Sequence, residues 1–240
     1  MKSVKYIYQL GLFSLLLLVG TSCRDEAKNP IPEWEAGLHA LGQFVLPNGS
    51  LLPATDDATA AIAQTTINSQ VFFQASNLAG SSIRFTVKPV SIDGRVEPDK
   101  MDLFIKMKEG YTDKDGNAKV AVHGITATTG LYIPQGVKFA SFSGLSNRQG
   151  NQVTLTAAQV FEFFKSATFD YGDGKGKVSV FSRRANGNFA AGDNFEVSWS
   201  VTGKNGLVYN SWSGVYICSD TNATGGEVPG VNCFLRWIVR

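Results

Sequence analysis

The chain has 240 residues, of which 22 are basic, 20 are acidic and 43% are hydrophobic. Residues 1–23 contain two lysines and no acidic side chain, so the rest of the chain carries 20 basic and 20 acidic residues. Nucleic-acid binding needs clustered lysine and arginine to neutralise phosphates, and this balance therefore argues against a nucleic-acid partner.

The first 23 residues have the outline of an export signal. Lys2 and Lys5 precede an apolar run from Leu10 to Val19, which ends in Gly20-Thr21-Ser22-Cys23. About ten apolar residues are too few to cross a hydrocarbon core of roughly 30 Å, which favours a cleaved signal over a permanent transmembrane anchor. The segment resembles the signals of bacterial lipoproteins. That resemblance implies that Cys23 is lipidated and attaches the protein to the lipid bilayer.

Residues 24–43 are predicted to form a flexible tether. The part from Arg24 to Glu33 is polar and contains two prolines, which cannot donate backbone hydrogen bonds to a helix or a sheet. Asp25 and Glu26, just behind the cysteine, resemble the surface-export signals of Bacteroidetes lipoproteins. This resemblance implies an outer-membrane location, on the cell surface or on the periplasmic face.

The two remaining cysteines, Cys218 and Cys233, are predicted to form a disulfide. An exported chain leaves the reducing cytosol, and an even pair of cysteines there favours a crosslink. The alternative is two buried free thiols. A metal site is disfavoured because the two histidines, His39 and His123, lie far from these cysteines in sequence.

From residue 44 onward, short runs rich in β-branched and aromatic residues alternate with turn residues, which predicts antiparallel strands. The alternation is clearest at Phe195, Val197, Trp199 and Val201, which would share one buried face. The predicted strands are Val71–Phe73, Ile83–Val90, Leu103–Met107, Lys119–Val122, Val137–Phe142, Lys177–Phe181, Phe195–Val201, Gly206–Tyr209, Val215–Cys218 and Cys233–Val239.

One short helix is predicted near residues 157–165, because Thr156 and Gln159 have the spacing of a capping box. The remaining pattern predicts an all-β fold of antiparallel immunoglobulin-like β-sandwich modules. The 217 residues after the signal suit either one large domain or two of about 100 residues. The polar stretch Ser143–Gly150 favours two sandwich domains, at residues 44–146 and 147–240.

The C-terminal part carries a second resemblance. Its motifs are Leu155–Val160, Gly192–Phe195, Val201–Gly206, Cys218 and Pro229–Cys233. Together they resemble small Bacteroidetes lipoproteins that accompany outer-membrane nutrient-uptake systems of the starch-utilisation type. The resemblance covers roughly residues 153–240 and implies a β-sandwich accessory protein whose partners are transporter components or glycan.

The sequence offers little support for catalysis, and no cofactor is expected. His39 and His123 have no nucleophile motif beside them, and Gly172–Gly176 lacks the ending of a P-loop. Alternate oxygen ligands at Asp113, Asp115 and Asn117 raise the possibility of calcium, but the spacing fits a hairpin turn better than an EF-hand. An Asp170–Asp173 pair in a glycine-rich loop lacks the rigid placement that a glycosidase needs.

Binding is the function class that best fits an anchored β scaffold. Trp199 and Trp237 alternate with apolar residues and are assigned to the core, whereas Trp212 stands in a polar turn-like stretch. Candidate contacts for a sugar or a protein are Trp212, Tyr209 and Trp34. The sequence thus predicts a non-catalytic, membrane-anchored binding or accessory lipoprotein in nutrient uptake, with glycan as the ligand. The alternative is a structural or adhesive surface lipoprotein without a small ligand.

Overall fold

The computed structural model describes residues 37–54, 64–91, 93–125, 136–212 and 233–240, and strands dominate them. The strands are β1 (Leu38–Val45), β2 (Leu51–Leu52), β3 (Phe72–Phe73), β4 (Ser82–Ser91), β5 (Pro98–Thr112), β6 (Ala118–His123), β7 (Val137–Ser143), β8 (Asn151–Thr156), β9 (Thr168–Asp170), β10 (Lys177–Ser179), β11 (Asn194–Gly203), β12 (Val208–Asn210) and β13 (Leu235–Val239). The helices are α1 (Gln64–Gln70) and α2 (Ala157–Phe164), with 3₁₀ turns at Ala75–Asn77 and Phe181–Arg183.

Two main sheets make up the fold. The smaller has the order β2-β1-β4-β8, and the larger has the order β3-β13-β11-β5-β6, with β12 also on β11 and β7 also on β5. A separate hairpin pairs β9 with β10. Only the short β13–β3 pair is parallel among the described strands. The prediction of an all-β sandwich is therefore confirmed, whereas immunoglobulin-like identity stays a prediction.

The core lies between the inner faces of the two main sheets. The predicted core face of β11 is confirmed, because Phe195, Val197, Trp199 and Val201 all belong to the hydrophobic core. The polar residues between them, Glu196, Ser198 and Ser200, are buried as well. The Phe195 ring stacks on Trp237 with ring centroids 5.4 Å apart. Contact between aromatic rings stabilises the fold beyond the burial of each ring alone. The fully buried Phe195 and Trp237 thus hold β11 and β13 together in the core.

The predicted division into domains 44–146 and 147–240 is wrong. Strand β8 pairs with β4, and β11 pairs with β5 from Asn194 to Gly203, so both sheets contain strands from each side of that boundary. Residues 36–240 form one compact unit. Backbone groups in the middle of a sheet need partners on both sides, and here residues distant in sequence supply those partners.

The predicted tether at residues 24–43 extends too far toward the C-terminus, because β1 already begins at Leu38. Leu38 and Leu41 are fully buried. A Cβ atom on Gly42 would lie 2.8 Å from the Leu235 side chain and 3.0 Å from Trp199, so only glycine lets the two sheets approach here. This glycine interrupts the apolar alternation and hides the strand in the sequence.

The predicted helix is confirmed as α2. The Thr156 hydroxyl accepts a hydrogen bond from the Gln159 backbone N–H, and the Gln159 side chain accepts one from the Thr156 N–H. Val160 and Phe164 are buried against the sheets. The structure adds elements that the sequence pattern did not predict, namely α1, β1, β2, β8 and β9. The predicted strand Val215–Cys218 lies outside the described residues.

Candidate functional site

The predicted binding and linking residues are only partly described by the structure. Cys23, Trp34 and Cys218 lie outside the described residues. Cys233 is buried and disulfide-bonded, and its pairing with Cys218 stays a prediction.

Tyr209, a candidate contact in the sequence, is buried on β12 and packs inside the fold. A Cβ atom on Gly37 would lie 2.5 Å from Tyr209 Cε1, and the His39 ring packs edge-on against the same tyrosine with centroids 6.4 Å apart. Tyr209 thus fixes the start of β1 inside the fold. Its contacts with Gly37 and His39 link residues that are distant in sequence.

Trp212 follows β12 and is half-buried. Its ring meets Phe104 of β5 edge-on, with centroids 5.3 Å apart and an interplanar angle of 89°. Its indole Nε1 is buried and has no hydrogen-bond partner in the described part of the chain. Trp212 therefore belongs to an aromatic pair on the large sheet rather than to a free loop.

Phe104 lies on the outer face of β5, between charged residues. Residues at odd positions from Met101 to Met107 point into the core and are fully buried. Side chains alternate along a strand, so the even positions point outward. These outward residues are Lys100, Asp102, Phe104, Lys106 and Lys108. The alternation is visible in the sequence, but it could not show which other strands lie beside β5.

Glu196 of β11 forms the centre of the first charged group on this face. Lys106 contacts its carboxylate, Lys108 Nζ lies 3.1 Å away and Arg236 Nε donates at 2.6 Å. The carboxylate is only 5% exposed. Burial alone would raise the pKa of Glu196, but the charges of Lys106, Arg236 and Lys108 outweigh it and lower the pKa to about 2.

Asp102 forms the centre of the second charged group. Lys100 Nζ lies 3.0 Å and Lys138 Nζ 2.8 Å from its oxygens, and the Ser141 hydroxyl donates to Oδ1 at 2.6 Å. Burial raises the pKa of Asp102, but the hydrogen bonds from Lys138, Ser141 and Lys100 together lower it. The carboxylate is therefore held in its charged form.

These groups define what we call the basic face: Lys100, Lys106, Lys108, Lys138 and Arg236 around Asp102 and Glu196, with the Phe104–Trp212 pair between the two carboxylates. Its five cations share two carboxylates, which leaves an excess of three positive charges. At about 3.4 Å per residue, the distance along β5 from Lys100 to Lys108 is about 27 Å. The face is thus an elongated charged surface on rigid strands.

A second charged cluster lies on the inner side of the same sheet. Arg184 donates to Glu109 at 2.5 Å and makes a two-point contact with Asp193 at 2.5 and 2.9 Å. The Tyr171 hydroxyl donates to Glu109, and His123 Nε2 lies 3.8 Å from the same carboxylate. Burial and the bond to Glu109 both raise the pKa of Tyr171. All five side chains are largely buried, so the cluster serves the fold rather than a ligand.

The carboxylates weighed for calcium or glycosidase chemistry shape turns. Asp113 Oδ1 accepts the backbone N–H groups of Asp115 and Asn117 at 3.0 and 2.8 Å, which confirms the predicted hairpin. Asp170 accepts from Gly172 N–H at 2.9 Å and Asp173 from Lys175 N–H at 3.1 Å. Side-chain acceptors of this kind stabilise tight turns.

Two grooves lie elsewhere on the surface. One of about 400 Å³ runs between the end of β1, β3 and the start of β4, and Arg84 on its wall donates to the Leu46 carbonyl at 3.0 Å. The other, of about 420 Å³, lies between α2 and Leu78 and is mainly apolar. Neither contains a residue of the basic face, which combines charge with an aromatic pair and is the stronger candidate site.

The described residues contain no helix long and apolar enough to span a membrane. Comparison of the chain with known protein families, with curated proteins and with solved structures finds no match. The resemblances drawn from the sequence motifs therefore stay predictions, and function is argued from the geometry above.

Proposed function

We propose that this protein is a membrane-anchored, non-catalytic lipoprotein that binds glycan as an accessory module of nutrient uptake at the cell envelope. The observation that supports this proposal best is the Phe104–Trp212 pair on the outer face of the large sheet. Sugar rings stack on aromatic side chains, and the contact with Phe104, which β5 holds in place, fixes the position of the half-buried Trp212 ring.

The surroundings of the aromatic pair suit a polar ligand. Lys108 and Arg236 are about 30% exposed and Lys138 is 47% exposed, so their donors reach solvent beside the rings. Ligand sites generally combine an apolar surface with a few fixed polar groups, which set orientation and specificity. Hydroxyl and acidic groups of a sugar chain match these donors.

Membrane attachment through Cys23 is tested by replacing that residue. We expect Cys23→Ser to move the protein from the membrane fraction to the soluble fraction, because one hydrophobic anchor is removed and residues 10–19 are too short to span the bilayer. Cell fractionation and fatty-acid labelling measure the change. Undiminished membrane association of the unlabelled variant would contradict the proposal.

Glycan binding through Trp212 is tested by native electrophoresis in gels that contain neutral or acidic polysaccharides. We expect the wild type to be retarded by at least one polysaccharide and Trp212→Ala to bind it about tenfold more weakly, which corresponds to about 1.4 kcal/mol. Leu207→Ala is the matched control, because Leu207 is 53% exposed in the turn before β12 and lies outside the basic face. Equal weakening by both variants would argue against a specific role of Trp212.

The alternative, a structural or adhesive lipoprotein, predicts a different result in the same assay. Such a protein would not be retarded by any polysaccharide and would instead be recovered in a stable complex with a membrane protein. That combination would overturn the proposal of glycan binding while leaving the anchoring prediction intact.

A further inference from the structure

We propose that the basic face binds an anionic polysaccharide, whose sugar rings contact Trp212 where it packs on Phe104 and whose acidic groups pair with the surrounding cations. This inference rests on the proposed function and names its ligand class. It depends on three features of the face: its excess charge, its length and the low exposure of Phe104, with Trp212 half-buried beside it.

The cations of the basic face have more N–H donors than its two carboxylates can accept. Glu196 already accepts from three cations, and a carboxylate has only about four lone-pair sites to share among them. Each lysine has three N–H donors, and Arg236 has five. The donors not used by Glu196 and Asp102 need other acceptors, which solvent supplies in the free protein and an anionic ligand would supply in a complex.

The length of the face favours a polymer over a small anion. Asp102 and Lys106 are four residues apart on β5, so the two charged groups are separated by about 14 Å, with Phe104 between them. A single phosphate or carboxylate could contact only one group. An extended sugar chain along β5 could contact both groups and the aromatic pair at once.

The charge density of the face and the low exposure of Phe104 favour a glycan over nucleic acid or a membrane. Duplex DNA carries one charge per about 1.7 Å, or about 16 over the length of this face, against an excess of three positive charges here. Binding in a membrane interface needs apolar side chains that enter the lipid, whereas Phe104 is only 6% exposed. A polymer with at most one acidic group per sugar fits the face better.

The test uses a double variant that removes one cation from each charged group, Lys108→Gln/Lys138→Gln. Glu196 keeps Lys106 and Arg236, and Asp102 keeps Lys100, so both carboxylates stay paired. The matched control is Lys114→Gln/Lys165→Gln, which removes the same charge from lysines that are 64% and 56% exposed in other parts of the surface. Thermal unfolding of both variants checks that they fold.

The full-length protein is run in detergent on gels that contain polygalacturonate, neutral dextran or single-stranded DNA, and is mixed with phosphatidylglycerol vesicles. We expect retardation by polygalacturonate that added salt weakens, about tenfold weaker binding by the double variant and no change in the control. Three outcomes would contradict the inference. Retardation by dextran alone, lost in Trp212→Ala but kept in the double variant, would overturn this inference and leave the proposed function standing.

No retardation by any glycan would overturn both this inference and the proposed function. Binding to DNA or vesicles as strong as binding to polygalacturonate would also overturn this inference.

Discussion

Replacing Arg184 with glutamine is expected to lower the free energy of unfolding by about 3–5 kcal/mol. Arg184 is the cation that compensates both Glu109 and Asp193, and these carboxylates are only 6% and 4% exposed. Without it, Asp193 loses its ion pair and Glu109 keeps the Tyr171 hydroxyl and His123 beside it, so two negative charges stay buried with poor compensation. Urea unfolding of wild type and variant at pH 7 measures the loss, provided that the free energy of unfolding depends on urea concentration with the same slope in both proteins.

Arg183→Gln is the matched control for this prediction. Arg183 is the neighbouring residue, is exposed and lies over the Tyr171 ring at 3.7 Å, so its removal changes the same net charge without uncovering a buried carboxylate. We expect a loss below about 1 kcal/mol there. Burial alone would raise the pKa of Glu109, but His123, Tyr171 and Arg184 together lower it, so the loss in Arg184→Gln should shrink in acid as Glu109 becomes protonated. Similar losses in both variants would show that Arg184 is not the centre of the cluster.

Glu196 is expected to make the protein acid-sensitive. Its pKa is about 2 in the folded protein against an ordinary value of 4.5. Because the folded value is the lower one, the stabilisation is complete above about pH 4.5 and is lost as the pH falls toward 2. The difference corresponds to about 3 kcal/mol at neutral pH.

Comparison of the wild type with Glu196→Gln isolates this contribution. We expect the variant to be less stable by about 3 kcal/mol at pH 7, and we expect most of the difference to be lost near pH 2, where about half of the wild-type carboxylate is protonated. Glu162→Gln is the control, since Glu162 is 59% exposed and pairs only with exposed Lys165 among the described residues. A difference that stays constant between pH 7 and pH 2 would mean that packing, and not charge, holds Glu196 in place.

Features that depend on neighbours in sequence could be predicted without the structure. The capping box at Thr156 and Gln159 predicts α2 because its hydrogen bonds join residues three positions apart. The alternation from Phe195 to Val201 predicts a strand with one buried face, because side chains in a strand alternate by geometry. Asp113 likewise predicts a turn, since the backbone N–H groups that donate to its carboxylate lie within four residues.

Features that depend on pairing between distant strands could not be predicted. Nothing local to β5 shows that it pairs with β11, so the polar stretch Ser143–Gly150 predicts a domain boundary where the structure has a connection within one unit. The sequence of β1 predicts part of a tether, since Gly42 breaks its apolar pattern and the need for glycine is visible only once Leu235 and Trp199 lie against it. The burial of Tyr209 could not be predicted for the same reason, because its contact with Gly37 joins distant parts of the chain.

The distribution of charge shows most clearly which features sequence determines and which depend on tertiary structure. The sequence by itself determines that basic and acidic residues balance after residue 23, and this balance does not require a basic surface. Tertiary structure decides where the charges lie: pairing of β5 with β7 and β11, and of β11 with β13, brings Lys138, Glu196 and Arg236 beside the lysines of β5. Strand pairing depends on backbone hydrogen bonds and on burial of the opposite face, and neither is recorded in a count of charges.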